Sequence, residues 1–120
     1  MITLTLQLPP KELSPNSRCH YMAKANKAKK YRAAAFMVAR AQPIRKAWKE
    51  ATIQATFYFK QNRRRDKDNL LAMLKNAFDG IADAGVVAND SGFTHLPVQI
   101  EIDREHPRVE LRISPSTAGV

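Results

Sequence analysis

The chain has 120 residues, the size of one domain with an ordinary core, and 44% of them are hydrophobic, which excludes a disordered chain. Its single cysteine, Cys19, excludes an intrachain disulfide, and no apolar run approaches the ~20 residues needed to span a bilayer. The net charge of +9 is uneven: residues 1–65 hold 15 Lys/Arg against 2 Asp/Glu, and residues 66–120 hold 5 against 9. A basic half calls for a polyanion such as nucleic acid. An acidic half on the same small domain repels that polyanion unless its carboxylates hold cations.

Residues 2–8 alternate apolar and polar, which predicts a strand with one buried face, ended by Pro9-Pro10. The segment lacks the basic flank and continuous apolar stretch of a secretory signal, so a cytoplasmic protein is expected. Residues 11–26 read as a loop. The Ala-, Lys- and Arg-rich residues 27–42 read as a helix with Tyr31, Ala34, Ala35 and Val38 at helical spacing, broken by Pro43. Residues 44–50 suggest a further helical turn. Residues 52–60 alternate again and predict a second strand.

After a basic turn at residues 61–65, one helix is expected from Asp66 or Asp68 to about Ala84, with Leu70, Leu71, Leu74, Ala77, Phe78 and Ile81 on one face. Asp68, Lys75 and Asp79 share the opposite side. Gly85 stands where a C-cap glycine belongs. A short loop leads to strands at 98–102 and 109–113, expected to form a hairpin through residues 104–107. Residues 114–120 read as a frayed tail, with 115–120 disordered. The order β-α-β-α-β-β, without repeat or linker, predicts a single α+β domain over residues 1–120, with a mixed sheet of about four strands and two main helices.

The chemistry concentrates in residues 63–69. Arg63, Arg64 and Arg65 precede Asp66 and Asp68, whose carboxylates project to one side if the chain is extended there. Converging carboxylates suit a hard divalent cation, and the arginines suit phosphates. The competing reading is that an aspartate caps the helix and the arginines are a solvated turn. Asp90, in an Asn-Asp-Ser-Gly run, is a further carboxylate or simply part of a turn. Lys75 and Asp79 form either a functional lysine with a neighbour or an ordinary i,i+4 surface pair. His20, His95 and His106 have no zinc spacing, Cys19 has no evident base, and no Gly-rich phosphate loop exists. Tyr21 and Tyr31 lie among basic residues, where packing is the default role.

Residues 64–70, then Lys75, Phe78 and Asp79, then Gly85, then Asn89-Asp90 resemble the signature of the RusA-type Holliday-junction resolvases. Pro15-Asn16-Ser17-Arg18 and Tyr31-Arg32 resemble that family's opening. Asn89 replaces the first aspartate of the family's usual loop pair, and Lys75 lies seven residues after Asp68 instead of four. The resemblance implies a homodimeric, magnesium-dependent endonuclease of bacteria, phages or prophages. Its substrate would be branched DNA, four-way junctions resolved by paired symmetric nicks in recombination and repair. It further implies that Asp66, Asp68 and Asp90 are metal ligands and, with Lys75, catalytic. DNA would be gripped by Arg63, Arg64 and Arg65 and by Lys27, Lys29 and Lys30. Two alternatives stand beside it: a non-catalytic basic nucleic-acid-binding protein, and a nuclease for other branched DNA.

Overall fold

The apolar alternation places strands where their inner faces can meet. This computed structural model describes residues 1–43, 47–88 and 90–116, and of Asp90 the backbone alone. Strand β1 (Ile2–Leu6) is followed by a 3-10 turn at Lys11–Leu13, helix α1 (Tyr21–Arg40) and strand β2 (Ala51–Phe59). Helices α2 (Lys67–Met73) and α3 (Lys75–Asp83) come next. A 3-10 turn at Asp90–Gly92 leads into strands β3 (Phe93–His95), β4 (Gln99–Ile102) and β5 (Arg108–Pro115). These form one α+β domain with a five-stranded mixed sheet. Among the described residues no helix is long and apolar enough to cross a membrane.

The sheet runs β1-β5-β2, and β3 and β4 together form the far edge. β3 pairs parallel with the start of β2 (Ala51 opposite Phe93), and β4 pairs parallel with its end (Phe59 opposite Ile102). β5 runs antiparallel to both β1 and β2. The expected β4–β5 hairpin is therefore wrong, because β2 lies between them. β2 carries the long apolar face Ile53, Ala55 and Phe57, so it takes the position where both edges are paired and its inward side chains are most fully covered. The connection crosses the end of β2, where the Asp103 amide donates to the Phe59 carbonyl at 2.9 Å. Asp103 Oδ1 accepts from the amides of Glu105 (3.0 Å) and His106 (3.1 Å), closing the turn.

The inward residues Leu4, Leu6, Ile53, Phe57, Val109, Leu111 and Ile113 join Ala35, Ala39, Leu70, Leu74, Phe78 and Ile81 from the helices in one core. The other face of the sheet carries Thr, Gln, Arg and Glu. Helix α1 starts six residues before the expected Lys27, because His20 caps it: its Nδ1 accepts from the Met22 amide at 3.2 Å. The long helix expected from residue 66 is broken at Leu74 (φ −91°, ψ −1°), where the amide bonds the Leu71 carbonyl in 3-10 fashion. No glycine or proline marks that break. Gly85 has φ +90°, as its C-cap role requires.

Trp48 forms an isolated bridge to Val87, so the helical turn expected there is not seen at residues 47–50; residues 44–46 lie outside the described chain. Ser114 and Pro115 belong to β5 rather than to the expected tail, whose residues 117–120 lie outside the described chain.

Candidate active site

The turn from β2 to α2 is built by Arg65. Its Cζ lies 3.6 Å from the Phe59 ring centroid, and its Nη1 donates to the carbonyls of Gln61 (3.1 Å) and Arg63 (3.3 Å). Burial and the nearby Arg63 charge lower its pKa from the ordinary value. Arg65 thus organises the loop, while Arg63 and Arg64 are left exposed.

Asp66 is extended (φ −85°, ψ 113°), and the helix begins at Lys67. The extended Asp-x-Asp geometry is therefore not realised. Asp66 is the N-cap: its Oδ1 accepts from the amides of Asp68 (2.9 Å) and Asn69 (3.3 Å). The capping reading holds for that oxygen. Asp66 and Asp68 are both exposed at the positive end of α2.

Lys75 begins α3. Its Nζ is 3.8 Å from Asp79 Oδ2, and its side chain is 76% exposed. The surface pair is present, and the break at Leu74 removes the continuous helix that would have aligned Lys75 with Asp68. Asp79 also faces Arg32 at 4.0 Å, and Arg32 binds Asp83 with two hydrogen bonds, at 2.7 and 2.9 Å. Those bonds lower the Asp83 pKa. This tie between α1 and α3 was missed in sequence because its partners stand 51 residues apart.

The backbone of Asp90 is located by its flanks. The Trp48 amide donates to Val86 and the Ala88 amide to Trp48, both at 2.9 Å, and Phe93 pairs with Ala51. Asp90 therefore lies at the start of β2. Asp66 follows Arg65, which stacks on Phe59 at the end of β2. The strand between them spans about 26 Å at ~3.3 Å per residue. By backbone position, then, Asp66 and Asp68 are neighbours near the end of β2, and Asp90 lies near its start. The cause is that α2 and α3 run back along β2, delivering the following loop to its other end. Among the described residues, no three of His, Cys, Asp or Glu gather as a ligand group.

Lys27, Lys29 and Lys30 are exposed on the first half of α1. Tyr31 is buried, with its hydroxyl donating to the Gln7 carbonyl at 2.8 Å, and burial raises its pKa. This packing role is the default expected for it.

Residues 11–114 match the family model described as endodeoxyribonuclease RusA. A protein of Xylella fastidiosa that carries no functional name is 32% identical over 110 residues, covering 85% of this chain and 69% of its own length. With the match spanning nearly the whole domain, from the 3-10 turn before α1 to the end of β5, the chain belongs to the RusA endodeoxyribonuclease family.

Proposed function

We propose that this protein is a magnesium-dependent endonuclease that resolves four-way DNA junctions by paired symmetric nicks, acting as a cytoplasmic homodimer in bacterial or phage recombination and repair. The observation that carries the reading is the exposed Asp66–Asp68 pair beside Arg63 and Arg64, within a chain that matches the nuclease family. The donor set fits magnesium. Asp66 Oδ2 and the Asp68 carboxylate are hard oxygen donors with no partner among the described residues, and their exposure leaves room for water and phosphate. Bound there, magnesium would make an attacking water more acidic and neutralise phosphate charge. Arg63, Arg64, Lys27, Lys29 and Lys30 hold the DNA backbone. Lys75 places a cation where negative charge develops at the scissile phosphate.

Asp90 joins this set through the second subunit: the partner's Asp90 turn approaches the Asp66–Asp68 turn of the first, and the reverse. The homodimer then holds two composite sites, one per strand. The first experiment is cleavage of a fixed four-way junction with magnesium, with calcium and with EDTA. Cutting with magnesium alone is expected, and binding without cutting would favour a non-catalytic protein. A panel of flaps and forks decides against other branched substrates. Mixing Asp68→Asn with Asp90→Asn tests the composite site. Each variant alone is inactive, and mixed dimers regain one intact site and nick one strand. A mixture as inactive as its components overturns the shared site.

A further inference from the structure

The first half of α1 is not packed like the second. Its buried residues are Tyr31, Ala35 and Ala39, and none lies between Tyr21 and Lys30. In that half only Lys24 and Ala28 are even partly covered. At 100° per residue, the exposed Lys27, Lys29 and Lys30 point to different sides of the axis, while Lys24 turns to the preceding loop, its Nζ donating to the Ser14 carbonyl at 3.5 Å. The helix also has a direction. Tyr31 bonds Gln7, just past Leu6, which lies level with Val109 and so with Phe57 near the end of β2. Arg40, at the other end, donates to the Ala84 carbonyl beside the start of β2. Residues 21–30 therefore extend about 15 Å beyond the Tyr31 contact. They leave at the same end of the sheet as Arg63, Arg64, Asp66 and Asp68.

The tip of this arm is apolar and aromatic. Tyr21 is 75% exposed and Met22 57% exposed. The His20 ring stacks on Tyr21 with centroids 4.6 Å apart and planes 30° from parallel. An exposed aromatic pair costs the free protein apolar contact with water unless something covers it. The surrounding cations select a polyanion for the cover, and a flat ring selects a flat partner.

We propose that residues 20–30 form a DNA-probing arm whose Tyr21 stacks on a nucleobase exposed at the branch point, while its lysines hold the flanking phosphates. This rests on the nuclease reading and adds to it a structural basis for choosing branched over continuous duplex. Bases in a duplex are stacked on both sides, whereas a branch point offers unstacked faces to an aromatic side chain.

The test uses a synthetic four-way junction with 2-aminopurine at the crossover, in EDTA so that no strand is cut. Wild-type protein should change the 2-aminopurine fluorescence on binding. Tyr21→Ala should lose that change and weaken junction binding by about 5- to 150-fold, the range for one base–aromatic stack, with duplex affinity unchanged. Tyr21→Trp should restore both. Circular dichroism checks folding, which an exposed residue should not disturb. Equal junction affinity and equal fluorescence for Tyr21→Ala and wild type overturn the arm while leaving the nuclease reading intact. A wild-type protein that does not prefer the junction overturns the nuclease reading itself. A Tyr21→Ala protein that sediments as a smaller species makes the tip a subunit contact and also overturns the proposal.

Discussion

Gly80 sets the distance between α1 and α3, and replacing it by alanine opposes two effects of different sign. In a helix interior alanine is favoured over glycine by roughly 1 kcal/mol. Here, however, a Cβ would overlap the Arg32 carbonyl oxygen and lie 3.1 Å from the Phe36 amide nitrogen. Both obstacles are backbone, so no side-chain rotation relieves them and α1 itself must move. Overpacking of this kind costs about 1–3 kcal/mol. The rigid obstacle puts Gly80→Ala toward the upper part, for a net loss of about 1–2 kcal/mol after the propensity gain. The shift would also stretch the Arg32 contacts with Asp79 and Asp83. Urea unfolding should show a lower midpoint with unchanged slope, and thermal unfolding a drop of roughly 4 °C per kcal/mol. A Gly80→Ala protein more stable than wild type by roughly 0.5–1 kcal/mol would show propensity alone at work and refute the close helix contact.

Asp66 caps α2 through Oδ1, the proposed metal site would use its other oxygen, and two substitutions separate the two roles. Asp66→Asn keeps a capping oxygen and should fold normally without cutting, whereas Asp66→Ala should lose about 1 kcal/mol of stability as well, by urea titration. DNA affinity should fall steeply with salt as Lys and Arg contacts release counterions; an isotherm flat between low and moderate salt contradicts the basic-surface argument. His95 packs against Phe78 with ring centroids 4.6 Å apart, and partial desolvation of this otherwise exposed ring lowers its pKa below the ordinary 6.5. The neutral ring therefore stabilises the fold above pH 6.5, and that contribution is lost as the pH falls from 6.5 through the lower folded-state value. His95→Gln should flatten the stability profile in that window, and an unchanged profile would place the acid loss elsewhere.

Much of this was legible in the sequence wherever the signal was local. Alternation located β1, β2 and β5 because each buries one face, it located β4 although only Ile100 of that strand is partly covered, and Gly85 announced the left-handed turn it makes. The missed features are long-range or weakly coded. β5 pairs with β2 and not with β4, because β2 lies between them in the sheet, an order that exists only in three dimensions, and nothing in residues 104–107 distinguishes a crossover from a hairpin. Histidine is an unusual helix cap, so the six residues after His20 read as loop. Three-residue β3 is too short to show a period. At the site, the Asp66–Asp68 neighbourhood was readable as spacing. The distance to Asp90 depends on helices that run the length of a strand, and spacing along the chain carries no trace of that.

The bland and functional readings of the site also differ less than their sequence patterns suggest. A carboxylate has two oxygens, and the cap of α2 uses one oxygen of Asp66. Lys75 meets Asp79 at 3.8 Å with most of its side chain in solvent, a pair of the kind worth about 0.3–0.5 kcal/mol. That is close to thermal energy, so the contact holds the ammonium near α3 without committing it. A phosphate arriving with full negative charge offers a charge-assisted partner worth roughly 1.5–3 kcal/mol, which outweighs the pair it replaces. Arg32 stands 4.0 Å from Asp79 as well, so Lys75 can leave without stranding that carboxylate beside no cation. The same magnitudes treat Arg65 differently. Its ring contact and two carbonyl bonds hold the loop that presents Asp66, and diverting it to phosphate would release that loop. Arg65 therefore shapes the turn, and Arg63 and Arg64, exposed and next to the carboxylates, are the arginines on which the proposed DNA contact rests.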